Sequence, residues 1–239
     1  MLRILVVFLL INIWVAPVKA QKTVILDDAI KEFTLVNNYL EILEDKEGKL
    51  TINEVSSLAY QSKFVLNQSI YPYNENIKSA YWVKFKVKNN CQSGKNFLLE
   101  SYAPHTNDFK LYIQKGNDFD VKVSGLDLYF YNREYVNKNL ILDLPLDTHS
   151  LHTFYVRVLS KNHSSFDFRI KPQTYFFFYS VNEYFFLGIF YGIMIIMAIY
   201  NLLIFFPLGK KFTSIMFYMS FVACLRRWPM MVWAISMYG

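Results

Sequence analysis

Residues 184–208 run for twenty-five positions without a charged side chain. As an α-helix this stretch would measure about 37 Å, enough to cross a bilayer with some tilt. A helix buried in a soluble core rarely stays uncharged over such a length. Pro207, Gly209, Lys210 and Lys211 stop the run, and the two lysines place that end in the cytoplasm. The residues before it are then outside the cell or in the periplasm. Just upstream, residues 175–186 (YFFFYSVNEYFF) crowd aromatic rings around Asn182 and Glu183. That composition suits the headgroup layer at the start of a span.

The first twenty residues, MLRILVVFLLINIWVAPVKA, agree with export. Arg3 supplies a positive start, residues 4–16 an apolar stretch too short to span, and Val18-Lys19-Ala20 a cleavage site. An uncleaved anchor is the alternative, and either way the next segment leaves the cytoplasm. After the first span the chain turns within a few residues. Residues 212–225 are apolar again, and residues 228–238 mostly so, with Arg226 and Arg227 between them. This predicts a helical hairpin that opens a bundle, with residues 212–239 as a partial second span. Gly188 and Gly192, four apart, would permit close helix contact and bundle self-association, although such spacing is common by chance. Asn201 suits an interhelical hydrogen bond.

The formal charge of +6 would suggest nucleic acid, but its location argues otherwise. Arg3, Lys19, Lys210, Lys211, Arg226 and Arg227 all flank apolar segments. Residues 21–183 hold nineteen basic and nineteen acidic side chains, so no basic stripe addresses phosphate. Lipid is the expected partner and nucleic acid is not. Cys91 is exported and Cys224 lies in an apolar segment, so the two are not expected to pair.

Between Tyr81 and Ile170 the hydrophobic period is two. Val83, Phe85 and Val87 alternate with Lys84, Lys86 and Lys88. Phe109, Leu111 and Ile113 follow the same rule, as do Leu140, Leu142 and Leu144. So do Phe154, Val156 and Val158, and then Phe166, Phe168 and Ile170. Each run reads as a strand with one wet face. Turn residues separate them: Asn89-Asn90 with Gly94, Gly116-Asn117, and residues 145–150. Short amphipathic strands with little helix between them predict an all-β antiparallel sandwich over residues 51–174, followed by transmembrane helix. Residues 21–50 read as a lead-in, extended or partly helical. Within it, EDKEGKLTINEV imitates a calcium loop, but Leu43 stands where the first oxygen ligand belongs. The better reading is a turn at Gly48 and a short helix capped by Thr51 with Glu54 in a capping box.

The order of signal, β-rich domain, aromatic belt and span resembles the bacterial seven-transmembrane receptors with diverse intracellular signalling modules. The resemblance is to those with the second type of extracellular domain. It rests on AYWVKFKVKN (80–89), NFLLES (96–101), DFKLYI (108–113), FYVRV (154–158) and FFLGIFYGIMIIMAIYNLLIF (185–205). DKEGKLTINEV fits the lead-in of that family, and Gly125 and Arg133 fall where it tends to show a glycine and then an arginine. The resemblance covers roughly residues 35–220. It implies a jelly-roll-like sandwich similar to carbohydrate-binding modules, in the bacterial inner membrane, feeding seven spans and a cytoplasmic output. The tail CLRRWPMMVWAISMYG departs from the family's next spans, and no output domain follows. A truncated or frame-shifted product is the expectation.

No catalytic constellation stands out: there is no GxSxG, P-loop or HExxH. His105, His149, His152 and His163 are scattered, so neither a metal centre nor a cofactor is expected. An exported hydrolase is therefore the weakest reading, and an anchored adhesion or assembly module the main rival to a receptor. For a small ligand such as a saccharide, the right residue types are aromatics on wet strand faces with arginines beside them. Sugar C–H faces stack on such rings, and polar side chains hold the hydroxyls. The candidates are Trp82, Tyr129, Tyr131, Arg133 and Arg157, with Tyr112 and Tyr155 of the same kind. Against them, Trp82 would equally cover a sheet edge and Arg157 pair with a carboxylate.

Overall fold

The computed structural model describes residues 20–208, except 93 and 117. The expected signal at residues 1–20, apart from Ala20, lies outside the described residues, as do the twin lysines, Cys224 and the second apolar segment. Among the described residues, eleven strands form two sheets. One sheet contains β1 (Thr23–Leu26), β3 (Glu41–Asp45), β4 (Val65–Leu66), β5 (Ala80–Asn89), β7 (Asp108–Lys115), β8 (Asp118–Ser124) and β10 (Leu151–Leu159). Its order is β4-β3-β5-β10-β7-β8, with β1 also on β5. The other is β2 (Phe33–Leu35), β11 (Phe168–Pro172), β6 (Phe97–Ser101) and β9 (Leu140–Leu144), in that order. Every pairing is antiparallel except β1 with β5. The chain crosses repeatedly between sheets, as in a jelly roll.

The alternating residues do what their spacing predicts. Val83, Phe85, Val87, Phe109, Leu111, Leu140, Leu142, Phe154, Val156, Phe168 and Ile170 meet in one buried core between the sheets. Phe85 stacks on Phe154 at 5.5 Å between centroids, across a directly paired register. Phe166 also enters this core, although β11 starts two residues later.

Three expectations need correction. Residues 21–50 are part of the sandwich, not a lead-in: β1 and β3 share one edge of the ten-residue β5, and β2 closes the second sheet. Strands this short gain their order from pairing, which local periodicity does not report. Nor is the outer face of the larger sheet wet throughout. Helices α1 (Ile52–Ser56) and α2 (Leu58–Gln61), with Phe64, cover part of it and build a second core around Leu43, Val55, Trp82 and Tyr155, while Lys88 and Gln114 stay exposed. Finally, the aromatic belt and the span form one helix, α3 (Gln173–Leu208), which follows β11 without a linker. Within Gln173–Ile204 it is long and apolar enough to cross a membrane, its most apolar stretch of 18 residues having a mean hydropathy of 2.2.

The false calcium loop is a turn. Gly48 has φ +67°, and the Asp45 carboxylate accepts from the amides of Gly48 and Leu50, both at 2.9 Å. Leu43 is in β3, where it joins the second core. Thr51 caps α1, and both halves of its capping box with Glu54 are present. These bonds hold the Glu54 carboxyl below its ordinary pKa.

Candidate functional site

The five predicted residues occupy two places. Trp82 and Arg157 are cross-strand partners on the outer face of β5 and β10. The alternation brings them together, and α1 and α2 then cover that face. Trp82 is 0% exposed and packs 5.2 Å from the Tyr112 ring, so its place on a wet face is corrected. Arg157 donates to Asp108 Oδ2 at 2.5 Å and to the Gly48 carbonyl at 3.0 Å. Its guanidinium ties β10 to β7 and to the turn at Gly48.

Tyr129, Tyr131 and Arg133 belong to the β8–β9 link. The tyrosines flank Phe130 on a 3-10 turn (Phe130–Asn132), are well exposed, and stand 5.7 Å apart. Arg133 is buried, donates to the Gly125 carbonyl at 3.0 Å and lies 5.1 Å from the Phe130 ring. Burial lowers its pKa. Gly125 itself has φ +123°, and a Cβ there would stand 2.2 Å from the Asn107 carbonyl oxygen. The glycine–arginine pair is thus one device: only glycine fits the turn, and the arginine closes it.

A different place has the form of a binding site. β4 pairs only Glu41 and Ile42, so the outer edge of β3 carries no strand beyond that point. The chain then loops away and is pinned at both ends. Asn67 donates to the Ser69 and Asn37 carbonyls at 2.7 and 3.3 Å, and Tyr73 bridges to Ser165. Between loop and edge lies an open cleft of about 490 Å³. Its apolar lining is Ile42, Val65, Leu66, Pro72 and the Tyr73 and Tyr81 rings; Glu44, Glu75, Asn67, Gln68 and Ser69 supply polar groups.

The electrostatics are acidic and locally organised. Glu44 accepts from Ser79 Oγ at 2.6 Å, and the Tyr81 phenol accepts from the Asn76 amide at 2.9 Å. Burial raises the Tyr81 pKa, and the Glu44 and Glu75 carboxylates add to the rise. The phenol stays neutral and available as a donor. On the far side of Gln68 a smaller hollow of about 310 Å³ is lined by Lys22, Asn37, Asn38 and Tyr39. Phenol rings among amides and carboxylates suit a small polyhydroxylated molecule, which needs flat contact on one face and acceptors around its rim. The stretch NQSIYPYNENIKSAY (67–81), with three tyrosines and four amide side chains in turn-rich sequence, is the local signal for this site. The search for aromatics on strand faces passed over it. Among the described residues, no group of three or more His, Cys, Asp or Glu is placed to hold a metal ion.

The family model for the 7TMR-DISM extracellular 2 domain matches residues 37–171, more than half of the 239-residue chain. No curated protein matches the chain. The matched segment takes in the cleft and ends just before α3. β1 and β2 lie ahead of it, yet both pair into the sheets.

Proposed function

The chain belongs to the 7TMR-DISM extracellular 2 family, and on that premise we propose that it senses a small hydroxylated ligand, a saccharide, for a transmembrane receptor. It is a membrane protein with an extracellular N-terminal domain. The ligand occupies the cleft beside β4, with the Tyr73 ring as its platform and Glu44, Glu75 and Gln68 at its hydroxyls. On this reading the domain binds and reports; it does not turn over substrate. Its membrane is the bacterial inner membrane, and a bundle of spans shifts between two packings when the ligand is bound.

The observation that carries the proposal is the passage from β11 to α3 without a linker. β11 is an inner strand of its sheet, bonded on both sides by β2 and β6. A change in the sandwich therefore has a short covalent route into lipid.

The test is a thermal-shift panel on the full chain in nanodiscs, with neutral mono- to tetrasaccharides as probes. A ligand at one hundred times its Kd stabilises by about 2.7 kcal/mol, which is several degrees in Tm for a domain of this size. Glu44→Gln and Tyr73→Ala should abolish that shift and leave the unliganded melt within about 1 kcal/mol of the parent, as expected for exposed positions. A panel that moves nothing, or a shift that survives both variants, overturns the assignment.

A further inference from the structure

The cleft beside β4 takes one carboxylate from each of its two parts. Glu44 comes from the open edge of β3 and is the direct register partner of Tyr81 on β5, so their side chains share a face of the sheet. Glu75 comes from the loop, where its neighbour Asn74 is the anchor. Asn74 is 1% exposed, donates to the Asn162 carbonyl at 2.9 Å and accepts from the Ser164 amide at 2.6 Å. With Asn74 fixed inward, Tyr73 and Glu75 on either side of it both line the cleft.

The charge there is uncompensated. Elsewhere the sandwich gives its half-buried carboxylates a cation: Glu41 has Lys84, Asp108 has Arg157 and Glu134 has Lys122. Among the described residues that line the cleft, two are acidic and none is basic. Glu44 has only the neutral donors Ser79 and Asn76, and Glu75 forms no ion pair among the described residues. Lys22, in the adjoining hollow, lies over the Tyr39 ring at 5.9 Å. The Tyr81 phenol is a second unfilled partner. Tyr81 is 6% exposed, and its oxygen accepts from the Asn76 amide, yet among the described residues nothing accepts the hydrogen it can donate. The exposed Tyr73 ring adds a face that attracts cations.

We propose that the ligand of this cleft is an amino sugar, with a protonated amine held by Glu44 and Glu75 and a neighbouring hydroxyl oxygen accepting from the Tyr81 phenol. An amine beside a hydroxyl on a ring matches this set: two acceptors that lack a cation, one donor that lacks an acceptor, and an aromatic face. It rests on the saccharide reading above and adds a positive charge to it.

The experiment titrates the full chain, in nanodiscs of zwitterionic lipid, with three disaccharides: those of glucosamine, N-acetylglucosamine and glucose. The pH is about 6, below the pKa of the amine and above that of the carboxylates. Empty nanodiscs give the background. The glucosamine disaccharide should bind roughly tenfold tighter than either neutral one, the combined worth of exposed ion pairs and one ring contact. Raising the salt to about 0.5 M should shrink that ratio severalfold, and Glu75→Gln should bring it close to one. Equal or tighter binding of the neutral sugars overturns the amine assignment and leaves the saccharide reading standing. A tenfold preference that survives Glu75→Gln also overturns it, since the amine then lies elsewhere. Binding by none of the three overturns both. Glu75 is exposed, so the variant folds, and its unliganded melt checks this.

Discussion

Lys171→Met is the most informative single change in the sandwich. Lys171 stands on the outer face of β11 at 1% exposure. Its ammonium lies 2.9 Å from both Glu100 and Glu32 and donates to the Tyr102 phenol at 2.8 Å. Glu100 is itself 1% exposed and also accepts from Asn139 at 2.7 Å. Methionine keeps most of the stem but removes the charge. Glu32 retains Arg169 at 2.8 Å, so its loss is limited. Glu100 keeps only a neutral donor among its named partners and becomes a buried, uncompensated carboxylate. Breaking a buried pair from one side costs about 3–5 kcal/mol. For a domain of this size that lowers Tm by roughly 6–20 °C. Adding Glu100→Gln removes the stranded charge and keeps the Asn139 bond. The double variant should return to within about 1–2 kcal/mol of the parent. Thermal melts of the parent, both singles and the double in detergent, at one ionic strength, provide the cycle. If Glu100→Gln restores nothing in the Lys171→Met background, the loss is one of packing and the electrostatic reasoning fails. The pH response adds a second check. Burial alone would lower the Lys171 pKa, but Glu100 and Glu32 outweigh it and the result is a rise. The ion pair's stabilisation is therefore complete below the ordinary lysine pKa and fades only as pH climbs past it.

Gly125→Ala should cost at least about 3 kcal/mol, since it combines a positive φ with a 2.2 Å approach to the Asn107 carbonyl; a melt within about 1 kcal/mol of the parent would refute the fit. Trp82→Ala should cost about 3–5 kcal/mol as a core truncation, whereas an exposed ligand platform would lose almost nothing on denaturant titration. Tyr135 has its pKa pushed up to about 12, first by burial and then by its bond to Asp143. Its stabilising effect is thus full below pH 10 and lost as pH rises toward 12, a slope that Tyr135→Phe should flatten in a pH series of melts.

The alternation of apolar and polar residues determined a great deal. It fixed the inward faces of β5, β7, β9 and β10, because a strand's side chains change sides at every step whatever its neighbours are. Uncharged length marked α3 as a span, and the turn chemistry at Gly48, Thr51 and Gly116 was equally local. What lies against each face was decided by tertiary structure. Lys84 and Trp82 looked wet because they alternate with core residues, yet residues 52–64 fold over them. Lys84 is buried there beside the Glu41 carboxylate, with Gln61 accepting from it at 2.9 Å. β1, β2 and the two-residue β4 are too short to show a period, and they exist only because a longer strand offers an edge. The cleft follows from that economy. It forms where β4 ends and the edge of β3 stays open, a property of two segments more than twenty residues apart that neither encodes alone.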